Sequence, residues 1–496
     1  MAAPFIVTLD GPAGVGKTTM ARMCAERLGI AYLDTGAMFR TLALRLGPGA
    51  HQLPPEELEA RAAALPFTLC VENGQSVLRC AGDTIGQEIR TEEVGMLAST
   101  LGTVPVIREV LKKAQRAIGA TTSLVAEGRD MGTVVFPQAA CKFFLDASPE
   151  VRAARRLRDL QARGGTGDLA TIAAQIRERD AQDRGRAVAP LRPAEDAILL
   201  DSSDHAIPEV LAMLLDATRP RMAAAALTAS RAGHATVHFI TNYVIVNDCA
   251  NMTIAAGGSP IMADDPRETE EITALCDSLV INMGTPSERT VNGMFSAGKK
   301  AAALGHPIVF DPCGAGASTF RNELATKLLR EIPFAVIKGN ISEIRFLSGQ
   351  AAETRGVDAG AGDIAASHDL AGVAAMAKAL AARTGAVVVV SGAVDVVACA
   401  DEAWAVHNGD ILMSRVSGSG CMGSATIGAF VGADPAHPLA AALGGMCAMG
   451  VAGEHARDWL DCVGGGNASY RTYLIDAMSN LDFETLVREM RVERIA

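Results

Sequence analysis

The stretch "FIVTLDGPAGVGKTTMARMCAERL", residues 5 to 28, decides the fold class of the N-terminal half of this chain. A short run rich in β-forming residues, 5–10, breaks into glycines and then into a helical pattern from 17 to 28. The glycine turn fits the phosphate-loop pattern G-x-x-x-x-G-K-[ST], and it lies where that pattern belongs, between a strand and a helix. The stretch therefore predicts a binding site for the phosphates of a nucleoside triphosphate.

Each residue type in this loop has a physical role. Backbone N–H groups of the glycine turn and the positive end of the helix dipole hold phosphate oxygens. Lys17 reaches the β- and γ-phosphates as the catalytic cation, and the Thr18 hydroxyl ligates Mg²⁺. By itself the motif identifies a user of nucleoside triphosphates, so a nucleotide switch or an ATPase remains an alternative. The predicted ATP-binding residues here are Gly11, Gly14, Gly16, Lys17, Thr18 and Thr19.

Length and composition limit the remaining possibilities. A chain of 496 residues exceeds what one hydrophobic core normally fills, so two or three domains are expected. The 49% hydrophobic and 4% aromatic content is that of an α/β enzyme. A net charge of -11 argues against nucleic acid or an anionic membrane as the main partner. The eleven cysteines include no C-x-x-C pair, which favours reduced thiols in the cytoplasm over disulfides or zinc.

Two segments bear on membranes and targeting. The N-terminus enters a strand-like run at once and shows no signal-peptide pattern. The longest apolar stretch, Leu439 to Gly453, is short for a membrane span and rich in Gly and Ala. We expect a buried helix there.

The N-terminal half continues as alternating strands and helices. Strand patterns at 123–128, 142–147 and 197–202 are separated by charged helical segments, which predicts a parallel sheet covered by helices. The arginine-dense segment 152–186 has two interpretations, a solvated helix pair or a source of cations for phosphates. The segment 219–235 shows no clear strand, and we interpret it as a linker in which "MAAAAL" could form a short helix.

Three motifs carry a family resemblance for the first half. The segments "YLDTGAMFR" (32–40), "AEGRDMGTVVFP" (126–137) and "RDAQDRGRAVAPLRPA" (179–194) closely resemble cytidylate kinases of the bacterial type, over about residues 4 to 216. The resemblance implies a phosphate-loop nucleoside-monophosphate-kinase domain, residues 1–218, that transfers the ATP γ-phosphoryl group to CMP or dCMP. By motif position it implies that the acceptor nucleotide binds Thr35, Arg40, Ser99, Arg108, Arg129, Asp130, Asp183 and Arg186. Arg155 or Arg156 would lie near the moving phosphoryl group in a closing lid.

The second half contains four glycine-containing motifs, each placed after a strand pattern. They are "DPCGAG" (311–316), "KGNISEI" (338–344), "VVVSGAVDVV" (388–397) and "VSGSGCMGS" (416–424). Together they predict a site at the carboxyl edge of a second α/β sheet. With "VHFITNYVIVNDCAN" (237–251) and "GGSPIMADDPRE" (257–268) they resemble hydroxyethylthiazole kinases, which have a ribokinase-like fold, over about residues 236 to 490. The second domain is expected at 236–496.

This second resemblance implies phosphorylation of the primary hydroxyl of 4-methyl-5-(2-hydroxyethyl)thiazole by ATP. An anion hole at the start of a helix is expected from the N–H groups of Gly418, Ser419, Gly420 and Cys421. A neutral alcohol must lose a proton, so Cys421 is a candidate hydroxyl orienter or base, with a small packing residue as the alternative.

Other residues of the second half are assigned to metal and substrate. Asp311 and Glu343 offer the hard oxygens that Mg²⁺ prefers. By resemblance, Met262 and Gly418 line the thiazole pocket, and the family forms trimers with sites between subunits. A Met at position 262 is otherwise a core residue.

Three positions depart from the second family's pattern. Lys338 stands where an ATP-contacting Arg is frequent, and Ser391 replaces a Thr at another ATP-contacting position. Cys313 stands where Val is usual. The resulting prediction is a bifunctional kinase with two separate Mg-ATP sites. The alternatives are a C-terminal module that acts on another small alcohol, or a silent oligomerisation scaffold.

Overall fold

The computed structural model describes residues 3–72, 74–162, 164–186, 188–350, 354–355, 358–359 and 369–496. The chain divides into two compact units, Ala3–Thr218 and Arg219–Ala496.

The first unit is built on a five-stranded parallel sheet in the order β2-β6-β1-β7-β8. A second, antiparallel sheet of three strands, β3-β4-β5, accompanies it. The strands are β1 Ile6–Asp10, β2 Ala31–Asp34, β3 Phe67–Glu72, β4 Gln75–Cys80, β5 Asp83–Thr84, β6 Leu124–Gly128, β7 Cys141–Asp146 and β8 Ile198–Asp201. The helices are α1 Lys17–Leu28, α2 Thr35–Leu46, α3 Pro55–Ala63, α4 Glu92–Leu101, α5 Pro105–Gly119, α6 Pro149–Ala162, α7 Leu169–Arg184 and α8 Ile207–Gly233.

The predicted strands of this unit are confirmed to within one residue at either end. Strand β1 lies in the middle of the sheet and is buried over most of its length, as the apolar run 5–10 requires. Because β1, β6 and β7 are parallel neighbours, their carboxyl ends meet at one edge of the sheet. The phosphate loop begins at that edge.

The expectation of a linker at 219–235 is wrong in its local structure. Residues up to Gly233 continue helix α8, which contains Pro220. Ala223, Ala224 and Leu227 are buried in the main core of the second unit. The small side chains that resemble a linker in sequence instead permit close helix packing, since a Cβ on Gly444 would lie 2.1 Å from the Ala223 carbonyl oxygen.

The second unit is built on a nine-stranded mixed sheet in the order β10-β9-β11-β12-β13-β16-β17-β18-β19. The first six strands of that order are parallel and the last three pair antiparallel. The strands are β9 Thr236–Ile240, β10 Ser259–Met262, β11 Ser278–Asn282, β12 Ile308–Asp311, β13 Val336–Asn340, β14 Thr354–Arg355, β15 Asp358–Ala359, β16 Val387–Ser391, β17 Asp395–Ala398, β18 Ala403–Val406 and β19 Val492–Arg494.

Helices of the second unit cover both faces of this sheet, with one hydrophobic core on each face. The helices are α9 Val246–Ala255, α10 Thr269–Leu275, α11 Glu288–Leu304, α12 Thr319–Glu331, α13 Ile341–Leu347, α14 Leu370–Thr384, α15 Ser419–Ala433, α16 Pro438–Val463, α17 Asn467–Asn480 and α18 Phe483–Glu489.

The apolar stretch 439–453 forms the buried first part of α16, as predicted. Within the described ranges, no single helix has the length and apolar character needed to cross a membrane. One bent pair, α4 with α5, meets those two criteria together.

Candidate active sites

The phosphate loop of the first unit depends on glycine for its path. Gly11, Gly14 and Gly16 have φ values of +153°, +78° and +96°, a region that other residues rarely adopt. A Cβ on Gly11 would lie 2.0 Å from the carbonyl oxygen of Leu145 on β7. Close packing of the loop on the sheet therefore excludes any side chain at that position. The loop ends at Lys17, where α1 begins.

Lys17 and Thr18 lie beside an acidic residue that the sequence patterns did not single out, Glu127 at the end of β6. Lys17 is buried and donates to the Pro12 carbonyl at 2.7 Å. Thr18 donates its hydroxyl to both Glu127 oxygens, at 2.8 and 3.0 Å, and the Tyr32 hydroxyl donates to the same carboxylate. Burial, together with repulsion from Arg129, lowers the pKa of Lys17. Its position in "AEGRD", near the end of the predicted strand 123–128, was the available signal for Glu127.

A cavity of about 470 Å³ opens in front of this loop. It brings together all eight residues predicted for the acceptor nucleotide: Thr35, Arg40, Ser99, Arg108, Arg129, Asp130, Asp183 and Arg186. Gly14, Gly16, Lys17 and Thr18 also line it, whereas Gly11 is packed on β7.

Two carboxylates position the arginines of the cavity. Asp130 accepts a hydrogen bond from Arg108, and Asp183 pairs with Arg129 at 3.3 Å and with Arg186 at 2.6 Å. Both carboxylates are buried.

Arg179 also belongs to this cavity, although the sequence patterns did not single it out. It lies on α7 and lines the cavity with Arg40, Arg129 and Arg156. Burial, followed by the charge of Arg129, lowers the pKa of Arg179, and Arg156 and Arg40 act in the same direction. Cations gathered in this way form a strong anion site. The high arginine density of 152–186 was the signal, but density alone does not show which arginines face inward.

The two arginines predicted to lie near the moving phosphoryl group line different cavities. Arg156 lines the same cavity as Lys17, while Arg155 lines a second cavity of about 600 Å³ on the other side of Gly14 and Gly16. Arg155 donates to the carbonyl of Ser202 at 2.6 Å and to its hydroxyl at 3.1 Å. Thr19 also lines this second cavity.

The candidate site of the second unit lies where its parallel strands end. Asp311 ends β12 and is buried, and its Oδ2 accepts from the Ser424 hydroxyl at 2.7 Å. Glu343 is buried in the first turn of α13, where it accepts from the backbone N–H groups of Gly314 and Asn340, both at 2.8 Å. Burial, followed by the charge of Asp311, raises the pKa of Glu343 to about 8. Glu343, one predicted metal ligand, is therefore hydrogen-bonded to the turn that follows the other, Asp311.

The predicted anion hole occupies the N-terminus of α15. Gly418 precedes the helix with φ +79°, and a Cβ there would lie 2.2 Å from Cγ2 of Ile245. The head group of Lys338 faces this turn, since a Cβ on Gly420 would be 3.3 Å from its Nζ. Lys338 is buried, and its charge lowers the pKa values of Glu343 and Asp395 against the larger effect of burial. A cation thus stands beside the helix N-terminus.

Cys421 is held by two amides that the sequence patterns also missed. Asn282, at the end of β11, donates from Nδ2 to Cys421 Sγ at 3.2 Å, and Asn242 Nδ2 lies 3.9 Å from the same sulfur. Asn282 Oδ1 accepts from Asn242 Nδ2 at 3.0 Å and from the Gly284 N–H at 2.9 Å. These two donors fix the orientation of the Asn282 amide, so its N–H must face the sulfur.

Two predicted residues lie farther from this centre. Ser391 ends β16, and its hydroxyl donates to the Gly339 carbonyl at 3.3 Å. Met262 ends the edge strand β10, which β9 separates from the strand of Asn282. Met262 is half-buried and packs against the larger core.

The two units match different protein families. A family model described as cytidylate kinase matches residues 7–220, and one described as the hydroxyethylthiazole kinase family matches residues 227–484.

Individual relatives follow the same division. A cytidylate kinase of Nitratidesulfovibrio vulgaris is 59% identical over 220 residues, which cover 44% of this chain and 95% of the relative. A hydroxyethylthiazole kinase of Desulfovibrio desulfuricans is 52% identical over 266 residues, which cover 52% of this chain and 93% of the relative. A solved hydroxyethylthiazole kinase structure from Pyrococcus horikoshii is 32% identical, covering 56% of this chain and 100% of that chain with a TM-score of 0.49.

Both families are kinases, so the chain is a bifunctional phosphotransferase, and its second unit has a mixed α/β fold. Through its first half this chain belongs to the cytidylate kinase family and through its second half to the hydroxyethylthiazole kinase family.

Proposed function

We propose that the first unit, within residues 1–218, phosphorylates CMP and dCMP with ATP. The observation that carries this proposal is the single cavity that joins the phosphate loop to Arg40, Arg129 and Arg179. A nucleoside monophosphate is already an anion, so the domain needs positioned cations more than a strong base. Base and sugar edges face the buried carboxylates of Asp130 and Asp183, which suit a polar acceptor. The triphosphate backbone lies along the loop amides, with Lys17 at the transferring phosphoryl group.

We propose that the second unit, residues 219–496, phosphorylates the primary hydroxyl of 4-methyl-5-(2-hydroxyethyl)thiazole, a step of thiamine precursor salvage. The amides of Gly418, Ser419, Gly420 and Cys421, with Lys338 beside them, provide positive charge for the transferring group. Cys421 Sγ faces the substrate hydroxyl and either orients it or accepts its proton. Its fixed amide donors supply the orientation that this role requires.

Magnesium fits both sites by donor chemistry. In the first unit the Thr18 hydroxyl and the Glu127 carboxylate lie together, and in the second unit Glu343 is hydrogen-bonded to the turn that follows Asp311. These hard oxygens would hold Mg²⁺, which when bound neutralises phosphate charge. Since Mg-ATP is the donor for both reactions, we also propose a cytoplasmic location.

We further propose a homotrimer through the second unit. Large apolar side chains are exposed around β9 and β10, at fractions of 79% for Tyr243, 60% for Val244, 60% for Ile254 and 72% for Leu275. Large apolar side chains exposed in this way suit burial against another subunit. Light scattering of the intact chain tests this, and a monomer at assay concentration would contradict it.

Two variants, each expected to lose one activity and keep the other, test whether the two sites work independently. Lys17→Met abolishes CDP formation and leaves thiazole phosphate formation intact, while Cys421→Ala lowers thiazole turnover by about 100-fold and leaves CDP formation intact. ADP release is measured with CMP alone and then with the thiazole alcohol alone. Loss of both activities in either folded variant would contradict independent sites, and full thiazole turnover in Cys421→Ala would exclude the sulfur's role. A wild-type chain that releases no ADP with the thiazole alcohol would favour another small alcohol or a scaffold role.

A further inference from the structure

The second unit holds a pair of thiols that the sequence places far apart. Cys313 lies in the turn after β12, and Cys421 lies in the first turn of α15. Both sulfurs and a carboxylate oxygen of Asp311 lie within 4.8 Å of one another. The cysteines have no zinc-ligand spacing in the sequence, but the fold brings two of them together with a carboxylate.

The surrounding structure fixes these three donors. The Arg321 guanidinium donates to the Cys313 carbonyl at 2.6 Å and to the Met283 carbonyl at 2.8 Å, which holds the turn against the neighbouring strand end. Asn282 anchors the Cys421 sulfur from the other side. Asp311 is buried, whereas both cysteines are half-buried, so the cluster is preformed and still open to small ions.

The two sulfurs and the carboxylate oxygen favour one class of metal ion. Mg²⁺ takes oxygen ligands, and a pair of sulfurs adds nothing to its binding. Two thiolates and one carboxylate instead match a thiophilic divalent ion such as Zn²⁺, which accepts three protein ligands with water in a fourth position.

We propose that Asp311, Cys313 and Cys421 form a binding site for Zn²⁺ or a similar thiophilic cation. Binding forms two metal–sulfur bonds and one metal–oxygen bond and releases the two thiol protons to solvent. The bound ion occupies groups that the proposed function assigns to Mg²⁺ and the substrate hydroxyl. It therefore inhibits the C-terminal reaction and leaves the N-terminal reaction unaffected. Metal binding itself does not depend on the identity of the alcohol substrate.

Direct binding of Cd²⁺, a spectroscopic substitute for Zn²⁺, tests the site. The full chain is stripped with a chelator, kept reduced with a phosphine, and titrated with Cd²⁺ in excess Mg²⁺, without ATP or alcohol. We expect one saturable equivalent that gives the ultraviolet charge-transfer absorption of a Cd–thiolate complex. Cys313→Val and Cys421→Ala should each weaken binding by at least about tenfold. Cys462→Ala, which removes an exposed thiol elsewhere, is the matched control and keeps this transition.

The outcomes separate this site from the proposed activity. A saturable transition that is unchanged in Cys313→Val, or its absence from the wild-type chain, would overturn the proposal. Trp404 and Trp459 both lie in the second unit, so their fluorescence shows whether each variant folds. Competition of Zn²⁺ against bound Cd²⁺ extends the measurement to the native ion, which should displace Cd²⁺ from the same single site. Because no substrate is present, failure of thiazole turnover leaves the binding result intact.

Discussion

Asn282 Nδ2 donates to Cys421 Sγ at 3.2 Å, and this contact links the end of one sheet strand to the first turn of the anion-hole helix. The Asn282 amide cannot rotate without losing its bonds from Asn242 and Gly284. It therefore holds the sulfur in a single direction. In the proposed reaction, Asn282 would act through Cys421 as a positioning residue.

Removal of this amide should slow the C-terminal reaction selectively. We expect Asn282→Ala to lower kcat by about tenfold, less than the roughly 100-fold expected for loss of Cys421 itself. Asn282→Asp keeps the shape and the oxygen that accepts from Gly284 but removes the donor to sulfur, so it should lose as much. Steady-state kinetics with ATP varied should show kcat reduced and the KM for ATP unchanged. Full activity in Asn282→Asp would show that the amide only fills space.

Arg179 and Arg177 lie on the same helix and should behave differently. Arg179 lines the cavity with Arg40 and Arg129, whereas Arg177 lies outside that lining and pairs with Glu150. Arg179→Ala should lower kcat/KM for CMP by about 100-fold because a cation is lost at the phosphates. It should also raise the melting temperature of the nucleotide-free protein, since repulsion among the arginines is relieved. Arg177→Ala is the control, and equal kinetic effects in the two variants would contradict the assignment.

Local patterns predict part of these sites and long-range contacts complete them. The phosphate loop and the anion-hole turn are contiguous in sequence, and their glycines indicate the backbone path, as the positive φ values of Gly16 and Gly418 show. Strand β1 is equally local because its apolar run fits a buried central position. The linker interpretation of 219–235 is wrong up to Gly233, where helix α8 ends, because small side chains indicate packing only when the partner helix is known.

Other site residues acquire their roles only from the fold. Glu127 meets Thr18 because β6 and β1 are neighbours in the sheet, and Asn282 meets Cys421 because β11 ends beside α15. Neither pairing has a spacing that the sequence displays. Arg179 is similar, because the helical register of α7 decides which of many arginines faces the cavity.

Gly418 and Gly385 provide a matched test of the anion-hole turn. Both have positive φ, +79° and +74°, but a Cβ on Gly418 would collide with Ile245, whereas nothing lies within 4 Å of one on Gly385. Gly385→Ala should cost about 1–2 kcal/mol of stability and retain thiazole turnover. Gly418→Ala should lose at least about 100-fold in turnover because the amides move. Similar turnover in the two variants would contradict an anion hole at this turn.

Asp10 should make the stability of the first unit depend on pH. It is buried at the end of β1, where it accepts from the N–H groups of Met131 at 2.9 Å and Gly132 at 2.8 Å. Burial raises the pKa of Asp10 to about 6, against an ordinary value of 3.8. The folded state therefore binds this proton more tightly than the unfolded state does. The contribution of Asp10 to stability is greatest below about pH 4 and falls by up to about 3 kcal/mol as pH rises through 6, with little further change above about pH 7.

Hydrogen exchange of the β1 peptide at several pH values measures the slope of stability against pH. Asp10→Asn should remove the pH-dependent part and add a constant cost of about 1–3 kcal/mol, because an amide cannot accept from both N–H groups. Asp204→Asn removes an exposed charge in the same unit and should leave the slope unchanged. A slope in Asp10→Asn equal to that of the wild type would assign the effect to another group.

Substitution of Arg219 tests whether the end of α8 is part of the second unit's core or only a connecting segment. Its guanidinium is buried against the Glu402 carboxylate, which also accepts from the Trp404 indole at 3.3 Å. Arg219→Ala leaves a buried carboxylate without its cation, which typically costs about 3–5 kcal/mol. Arg267→Ala breaks an exposed pair with Asp265 and should change little.

Urea unfolding followed by tryptophan fluorescence reports on the second unit, because both tryptophans, Trp404 and Trp459, belong to it. The midpoint should fall strongly in Arg219→Ala and recover in the double variant Arg219→Met with Glu402→Leu, since replacing a whole buried pair by apolar groups removes the uncompensated charge. If residues 219–235 were only a linker, Arg219→Ala would lower the unfolding midpoint no more than Arg267→Ala does. Equal midpoints in Arg219→Ala and Arg267→Ala would therefore indicate that 219–235 serves only as a connecting segment. They would also show that the buried pair contributes little to stability.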